Sequence, residues 1–462
     1  MSSRRLILTS ASLAAVAAFS AISLISSNGA DAQKVQRSPR SADGHVHGQG
    51  SSFADPLLTG VADCPAPYTA KNVFLNVFGN ELTGCSEAPN INTPLPASNL
   101  GPVNGAATIS YGSVGSGGGR TAFCTHTPNI TNPNEAVPSI EFAVTDTPAS
   151  KVTLGTCDPV QVPLTIGSVA LVTNKGIPAL TPGLTTAQFC SLFNGNPVTV
   201  GTATISKLVY RNGNSGTNAI LISRLNDVCG ANPKWPVNGQ AFVFPSNSFY
   251  VPDVPTGTSS TSSTELDKIK ATAGSAGYVD GAIAALEGTK IKVAKLQNKA
   301  GSFISGTSVS GISGAVKSSA ITDIDPNPKR IELNVPTDPA GTGSYPIIGA
   351  TYLWLYSEQN NGAINPFYTN ADVNTLLDFV GWYTFDHTTT ACTTSNTDAE
   401  CILTKQLPGY AALKGTPTGK ANKGTAYVGG SFTTADRKAC PANNATSTNI
   451  NDLVRKVVLG CV

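Results

Sequence analysis

The sequence predicts a two-lobed α/β protein, with a mixed, mainly parallel sheet in each lobe and disulfides as staples. Three observations carry this expectation. Apolar, β-branched runs alternate with capped stretches of helical character through the middle of the chain, as strands joined by crossover helices do. The 462 residues exceed what a single hydrophobic core usually supports. The 10 cysteines are even in number and include no C-x-x-C pair, which favours a disulfide framework over zinc ribbons or thioredoxin-like redox sites.

The N-terminus agrees with an oxidising destination. Arg4 and Arg5 precede an apolar stretch over residues 6–25, and Ala30-Asp31-Ala32 offers a small-x-small cleavage site before Gln33. Residues 1–32 therefore read as a signal peptide, and the protein is expected in the periplasm or outside the cell. An uncleaved anchor is the alternative, since a span needs about 20 apolar residues, but interspersed Ser and Thr argue against it. Ser3-Arg4-Arg5 is a partial twin-arginine signal, which leaves the export route open. Pairing of sequence neighbours is the expected disulfide scheme: Cys64 with Cys85, Cys124 with Cys157, Cys190 with Cys229, Cys392 with Cys401 and Cys440 with Cys461. A net charge of +2 implies neither nucleic acid nor an anionic membrane as partner. Charged residues make up only 13%, and Gly, Ser, Thr and Asn take their place, as suits a secreted, loop-rich chain.

Residues 33–44 are polar and basic, a flexible leader. His45-Val46-His47 offers two imidazoles, too few for a strong metal site, and two outward side chains on a first short strand is the preferred reading. Residues 48–58 form a glycine-bearing turn into a helix, with Pro56 in the first turn where no intrahelical donor is lost. Residues 60–105 are rich in Pro and Asn, with one apolar segment at 73–78. A second turn of the same kind spans 109–120. It fits no phosphate loop, because Val114 holds the first glycine position and Arg120 the lysine position. The G-x-G-x-x-G fingerprint fails as well, since Gly115 and Gly117 are followed by Arg120. What remains is close backbone approach at a helix start, with Ser116 as a donor.

Residues 139–148 give a short strand ending at Asp146, and 163–172 a continuous apolar strand of the fully buried type. A capped helix over 184–195 follows. Next, an apolar run ending at Tyr210 meets Arg211-Asn212-Gly213-Asn214-Ser215-Gly216-Thr217, and a buried helix begins by Ala219. Such a strand-to-helix loop leaves backbone N–H groups free where the helix dipole favours an anion, and Arg211 adds a charged fork. An ordinary cap at Ser215 or Thr217 with a solvated Arg211 is the alternative. Beyond it come a Pro/Ser/Thr-rich loop at 245–264, a helix at 265–273, strands at 276–279 and 293–296, and an exposed Gly/Ser-rich stretch at 301–320. A buried strand at 345–355 and a helix at 373–383 complete the periodic part, with a short helix near 452–458.

Taken in order, residues 48–58, 111–119, 142–148, 184–195, 209–217, 276–280, 296–301 and 344–355 resemble the successive motifs of the phosphate-binding subunits of bacterial phosphate ABC transporters. The DING-type phosphate-binding proteins are similar almost to the same degree. The resemblance implies a periplasmic-binding-protein (venus-flytrap) fold. Lobe I would comprise 45–165 and 300–385, lobe II 166–299, and 386–462 a cysteine-containing extension packing on lobe I. It also implies that Ser52, Phe53 (through its backbone N–H), Ser116, Asp146, Arg211, Ser215, Gly216 and Thr217 hold inorganic phosphate, or a related oxyanion, in the interlobe cleft. A dehydrated oxyanion needs many donors, which hydroxyls, backbone N–H groups and Arg211 supply. Asp146 would accept a hydrogen bond from protonated phosphate and repel sulfate, which carries no proton at neutral pH. Gly213 stands where the family has an acid two residues after the arginine, so Arg211 lacks that partner. Ser52 replaces a threonine, and the interval between Ser116 and Asp146 is longer than usual.

The expected function is capture of phosphate without catalysis or cofactor, by a monomer, for ABC-type uptake through a permease or for extracellular scavenging. Two other readings stand beside it. A secreted phosphomonoesterase on the same fold is an activity associated with some relatives, against which stand only four histidines (His45, His47, His126, His387) and no H-E-x-x-H or G-x-S-x-G motif. An extracellular structural or adhesive protein would explain the low charge and the cysteines.

Overall fold

The computed structural model describes residues 45–58, 108–126, 140–356 (apart from 156, 257, 259, 319–323, 326 and 328) and 409–411. In chain order, β1 (His45–Gly50) turns into the short α1 (Asp55–Leu58), and β2 (Thr108–Ser113) into α2 (Gly115–Thr125). β3 (Phe142–Thr145), β4 (Val160–Asn174) and α3 (Thr186–Phe193) follow. A hairpin of β5 (Val198–Val200) and β6 (Ala203–Ile205) precedes β7 (Lys207–Tyr210), which feeds α4 (Gly216–Cys229). Then come β8 (Tyr250–Pro252), α5 (Ser262–Ala271), β9 (Ser275–Asp280) and α6 (Gly281–Leu286). β10 (Ile291–Val293), β11 (Lys295–Gln297), β12 (Phe303–Ser305), α7 (Val309–Lys317), β13 (Ile348–Leu355) and β14 (Tyr410–Ala411) complete the set.

The sheet is organised by β4, whose 15 residues are all buried, as its nearly unbroken apolar run requires. Its Val160–Ser168 half pairs with β13 and its Val169–Thr173 half with β9, so one strand serves two sets of neighbours. The strand order is β2-β1-β3-β13-β4-β9-β7-β8. At either wing the pairings β1–β2, β1–β3, β7–β9 and β7–β8 are parallel. The central pairings of β13 with β3 and β4, and of β4 with β9, are antiparallel. The fold is thus the mixed α/β architecture expected, with its parallel character concentrated in the wings where strands alternate with helices.

Most predicted elements occupy their predicted places. α3 has a capping box between Thr185 and Gln188, and α4 starts at the predicted loop with Ser215 as N-cap. β1 begins at His45, so the His-Val-His triplet does lie on a first strand. Three expectations need correction. The segment 245–264 is not loop throughout: β8 and the start of α5 fall within it, because a Thr261–Thr264 capping box initiates the helix earlier than its first apolar residue suggests. The stretch 301–320 is not simply exposed: β12 and α7 lie in it, and Gly311, Ile312 and Ala315 are buried. Small residues permit that approach, since a Cβ on Gly311 would stand 2.7 Å from Ile304 Cγ2. The strand expected at 293–296 is two, broken at Ala294, with β10 on β4 and β11 on β12. The segments 1–32, 33–44, 73–78, 373–383 and 452–458 lie outside the described residues.

The disulfides Cys124–Cys157 and Cys190–Cys229 form as predicted, tying the end of α2 to the segment before β4 and α3 to the end of α4. Cys64, Cys85, Cys392, Cys401, Cys440 and Cys461 lie outside the described residues, so the other three pairings do too. β14 adds to β4 opposite Gly167, where a side chain would strike the Phe53 ring 2.4 Å away. The Tyr410 hydroxyl donates to the Phe53 carbonyl, and the two rings meet edge to face with centroids 6.0 Å apart. No helix among the described residues is long and apolar enough to cross a membrane.

The helix α2 reaches β1 through Gly119, where a Cβ would lie 2.4 Å from Gly50 Cα and 2.6 Å from the Gln49 carbonyl oxygen. Backbone cannot yield as a side chain can, so Gly119→Ala is expected to cost about 1–3 kcal/mol in denaturant unfolding. An unchanged midpoint would contradict this contact.

Candidate functional site

Parallel strands bring the turns at their carboxyl ends to one edge. Gly50 of β1 is in register with Ser113 of β2 and Val144 of β3, so Ser51, Ser116 and Asp146, which follow those strands, gather there. In the other wing β7 and β9 run parallel, with Leu208 opposite Ala276, and so place Arg211 and Asp280 together. The two groups meet where α4 begins. A Cβ on Gly216 would stand 2.2 Å from Asp146 Oδ2 and 2.6 Å from Ser116 Oγ, so only glycine lets the helix start lie against that carboxylate.

Asp146 is buried, and three hydroxyls replace its water. Ser51 Oγ donates to Oδ2 at 2.5 Å and Ser116 Oγ at 3.0 Å, while Thr351 Oγ1 of β13 donates to Oδ1 at 2.8 Å. Ser51 Oγ in turn accepts from the backbone N–H of Phe53 at 3.0 Å. Ser52 faces the other wing, its Oγ 3.3 Å from Ser262 Oγ at the start of α5.

Arg211 is 1% exposed. Its Nη1 donates to Thr217 Oγ1 at 3.1 Å and Ser262 Oγ at 3.3 Å, and its Nη2 to the Ser260 carbonyl at 2.8 Å. Its Nε has no partner. Asp253 anchors the neighbouring loop by accepting from Asn212 N, Ser260 Oγ and Thr264 Oγ1. Thr217 Oγ1 donates to Asp280 Oδ1 at 3.2 Å, and Asp280 Oδ2 is buried without a partner. Ser215 accepts from Asn218 N as an ordinary cap, but the solvated arginine that this alternative assumed is not what the structure contains.

Burial dominates the electrostatics. It raises the Asp146 carboxyl above the usual range, against the pull of the Ser51, Thr351 and Ser116 hydroxyls and the Arg211 charge. Burial also pushes Asp280 up to about 7; the Ser262 hydroxyl and the Arg211 charge lower it, whereas the Asp146 charge raises it further. Glu265, 0% exposed on α5, is held well above the carboxylate range, again by burial first. Arg120, which donates to Thr145 Oγ1 and Gln240 Oε1, is lowered by burial to about 10.

All eight predicted site residues therefore sit in one cluster, to which the starts of α2, α4 and α5 contribute. Sequence reading missed Ser51, Ser262, Thr351 and Asp280. Ser51 and Ser52 are adjacent and alike, so only the turn geometry shows which hydroxyl meets Asp146. Ser262 lay inside a segment taken for loop, and Asp280 at the end of a recognised strand, where an acid usually caps a turn. A cavity of about 180 Å³ adjoins Asp146, lined by Ile220, Ser223 and Asn226 of α4 and by Lys151, Glu332 and Tyr352. Hydroxyl donors, helix starts and one arginine in a dry site suit a tetrahedral oxyanion.

Sequence comparison defines the class. The chain belongs to the PBP superfamily: the family model described as PBP superfamily domain matches residues 35–381. Its fold is similar to that of the periplasmic phosphate-binding protein PfluDING, solved with phosphate, at 17% identity over 81% of this chain and 91% of that one (TM-score 0.52). It is also similar to the crystal structure of a DING protein, at 17% identity over 81% and 92% (TM-score 0.53). A phosphate-binding protein from Stenotrophomonas maltophilia shares 20% identity over 79% and 90% (TM-score 0.50). Among curated proteins, alkaline phosphatase L of Pseudomonas aeruginosa is 30% identical over 197 residues, 37% of this chain and 50% of that protein. The chain thus spans about half the length of that relative.

The raised carboxyl of Asp280 has a consequence for stability. Its value moves from an ordinary 3.8 to about 7 on folding, so the folded chain holds the extra proton. That contribution is complete below the unfolded value and is lost as pH rises through the folded one. Asp280→Asn cannot ionise, so ligand-free variant is expected to gain in Tm relative to the unsubstituted chain between about pH 5 and about pH 8. Thermal melts at both ends of that range check this, and an offset independent of pH would contradict it.

Proposed function

We propose that this chain is an exported, non-catalytic phosphate-binding protein that captures inorganic phosphate between lobe I (45–165 and 300–385) and lobe II (166–299). It would serve ABC-type uptake, with a permease as partner, or extracellular scavenging. The observation that carries this reading is the buried pairing of regions around Asp146 and Arg211, each surrounded by hydroxyls, across the start of α4. Ser52, Phe53 N–H, Ser116, Ser215, Gly216 and Thr217 supply the remaining contacts. The Phe53 N–H donates to Ser51 and the Ser116 hydroxyl to Asp146, and both would turn to the oxygens of a phosphate held between the wings. Asp146 then accepts a hydrogen bond from the proton that phosphate carries. The solved phosphate-binding relatives support the fold on which this rests, and the hydroxyls and charges gathered at the start of α4 support the chemistry.

The test is calorimetry with inorganic phosphate on the full chain after bound anion has been stripped by unfolding and refolding. Saturable binding at one site is expected, and its absence overturns the proposal. Arg211→Ala removes charge-assisted hydrogen bonds worth about 1.5–3 kcal/mol each, so binding is expected to weaken at least about tenfold. Asp146→Asn is expected to admit sulfate in competition with phosphate, and undiminished preference for phosphate would refute the role given to that carboxylate.

The resemblance to alkaline phosphatase L favours a second reading, a secreted phosphomonoesterase using the same anion site. Turnover of a chromogenic phosphate ester by the unsubstituted chain, lost in Ser116→Ala, would move the assignment there.

A further inference from the structure

We infer that Asp280 is the acidic counterpart of Arg211, in place of the acid absent at position 213, and that it makes phosphate capture draw one proton from solvent. The inference rests on the phosphate-binding reading above.

Position 213 offers Arg211 nothing. Gly213 lies in a left-handed conformation (φ +129°), and a Cβ there would meet no atom within 4 Å. The acid comes instead from the end of β9. Arg211 Nη1 donates to Thr217 Oγ1 at 3.1 Å, and the same hydroxyl donates to Asp280 Oδ1 at 3.2 Å, so a single hydroxyl links cation and anion. Asp280 is 0% exposed, and its Oδ2 has no hydrogen-bond partner. A carboxylate oxygen left bare in a dry site is costly when charged, and it is satisfied by a proton.

The charges around it do not balance. Arg211 faces Asp280 from the end of β7, Asp146 from the end of β3 and Glu265 from α5, with Asp253 beside Glu265 and the neutral phenols Tyr278 and Tyr410 on β9 and β14. Arg120, which donates to Thr145 and Gln240, also faces Asp146. Two arginines, Arg211 and Arg120, thus face three buried carboxyls, Asp146, Asp280 and Glu265. A phosphate dianion keeps its one proton and donates it as a hydrogen bond to Asp146. Adding the two negative charges of phosphate to this set draws one proton from solvent, either onto Asp280 Oδ2 or onto the phosphate itself. The value of about 7 for Asp280 puts the onset of that requirement near neutrality. Arg211 is held by Asp280 through Thr217, which makes Asp280 a positioning residue as well as the source of the proton demand.

The experiment is calorimetric titration of stripped full-length protein with inorganic phosphate from about pH 6 to about pH 9, repeated in buffers of different ionisation heat to count protons. For the unsubstituted chain, affinity should fall about tenfold per pH unit above neutrality, with net proton uptake on binding. Asp280→Asn should still bind phosphate but with a markedly flatter pH profile, and Asp280→Glu should restore the slope. Affinity of the unsubstituted chain that is level above neutrality overturns the inference, as does an identical slope in Asp280→Asn. Should Asp280→Asn fail to fold, Asp280→Ser takes its place, since it removes the carboxyl and leaves a hydroxyl beside Thr217; a slope equal to that of the unsubstituted chain would again overturn the inference. Failure to bind phosphate at any pH would refute the phosphate-binding reading itself, which keeps the two distinguishable.

Discussion

The carboxylate of Asp146, buried and surrounded by three hydroxyls, is the interaction on which the functional region depends. Ser51 follows β1, Ser116 opens α2 and Thr351 lies within β13, so solvating one oxygen pair fixes three elements relative to the end of β3. An ionised group removed from water demands such partners, and their absence would cost more than any one of them contributes. The start of α4 closes the arrangement from the other wing, where the missing side chain of Gly216 leaves the space that Asp146 occupies.

The backbone makes this possible through β4. Because its two halves pair with different neighbours, the wings of the sheet share one strand yet each keeps its own parallel set. Parallel strands deliver their following turns to a common edge, which is why hydroxyls and acids far apart in sequence converge. Arg211 and Asp280 converge in one wing, Ser51 and Asp146 in the other, and Ser262 bridges them by contacting both Ser52 and Arg211. Any anion held there touches both wings, so its binding would be coupled to how closely they approach.

Burial gives this region an appetite for protons. Asp146, Asp280 and Glu265 are all raised by loss of solvent, while only Arg211 and Arg120 face them. A dry site makes donors effective, yet the same dryness penalises surplus negative charge. Hydroxyl ligands reconcile these demands, since they can donate to an anion or to a neighbouring carboxylate without changing charge. The preponderance of Ser and Thr over Lys and Arg in the cluster follows from that adaptability.

Much of this molecule was legible from residue patterns. The unbroken apolar run of β4, the capped α3, the loop before α4 and two disulfides all stand where local rules put them, because period, caps and turn residues act over a few positions. The eight predicted site residues could be named because collinear strand-to-helix turns resemble those of a known family. Local rules do not reach the rest. Adjacent Ser51 and Ser52 differ only in which way the turn points them, β14 pairs with a distant strand opposite Gly167, and Ser262 caps nothing yet joins Arg211 to Ser52. Sequence alone determined the elements and the chemistry offered at their ends. The tertiary structure decided which hydroxyl serves which charge, and that Asp280 stands with Arg211 where Gly213 does not, because those partners meet through strand register rather than through proximity in the chain.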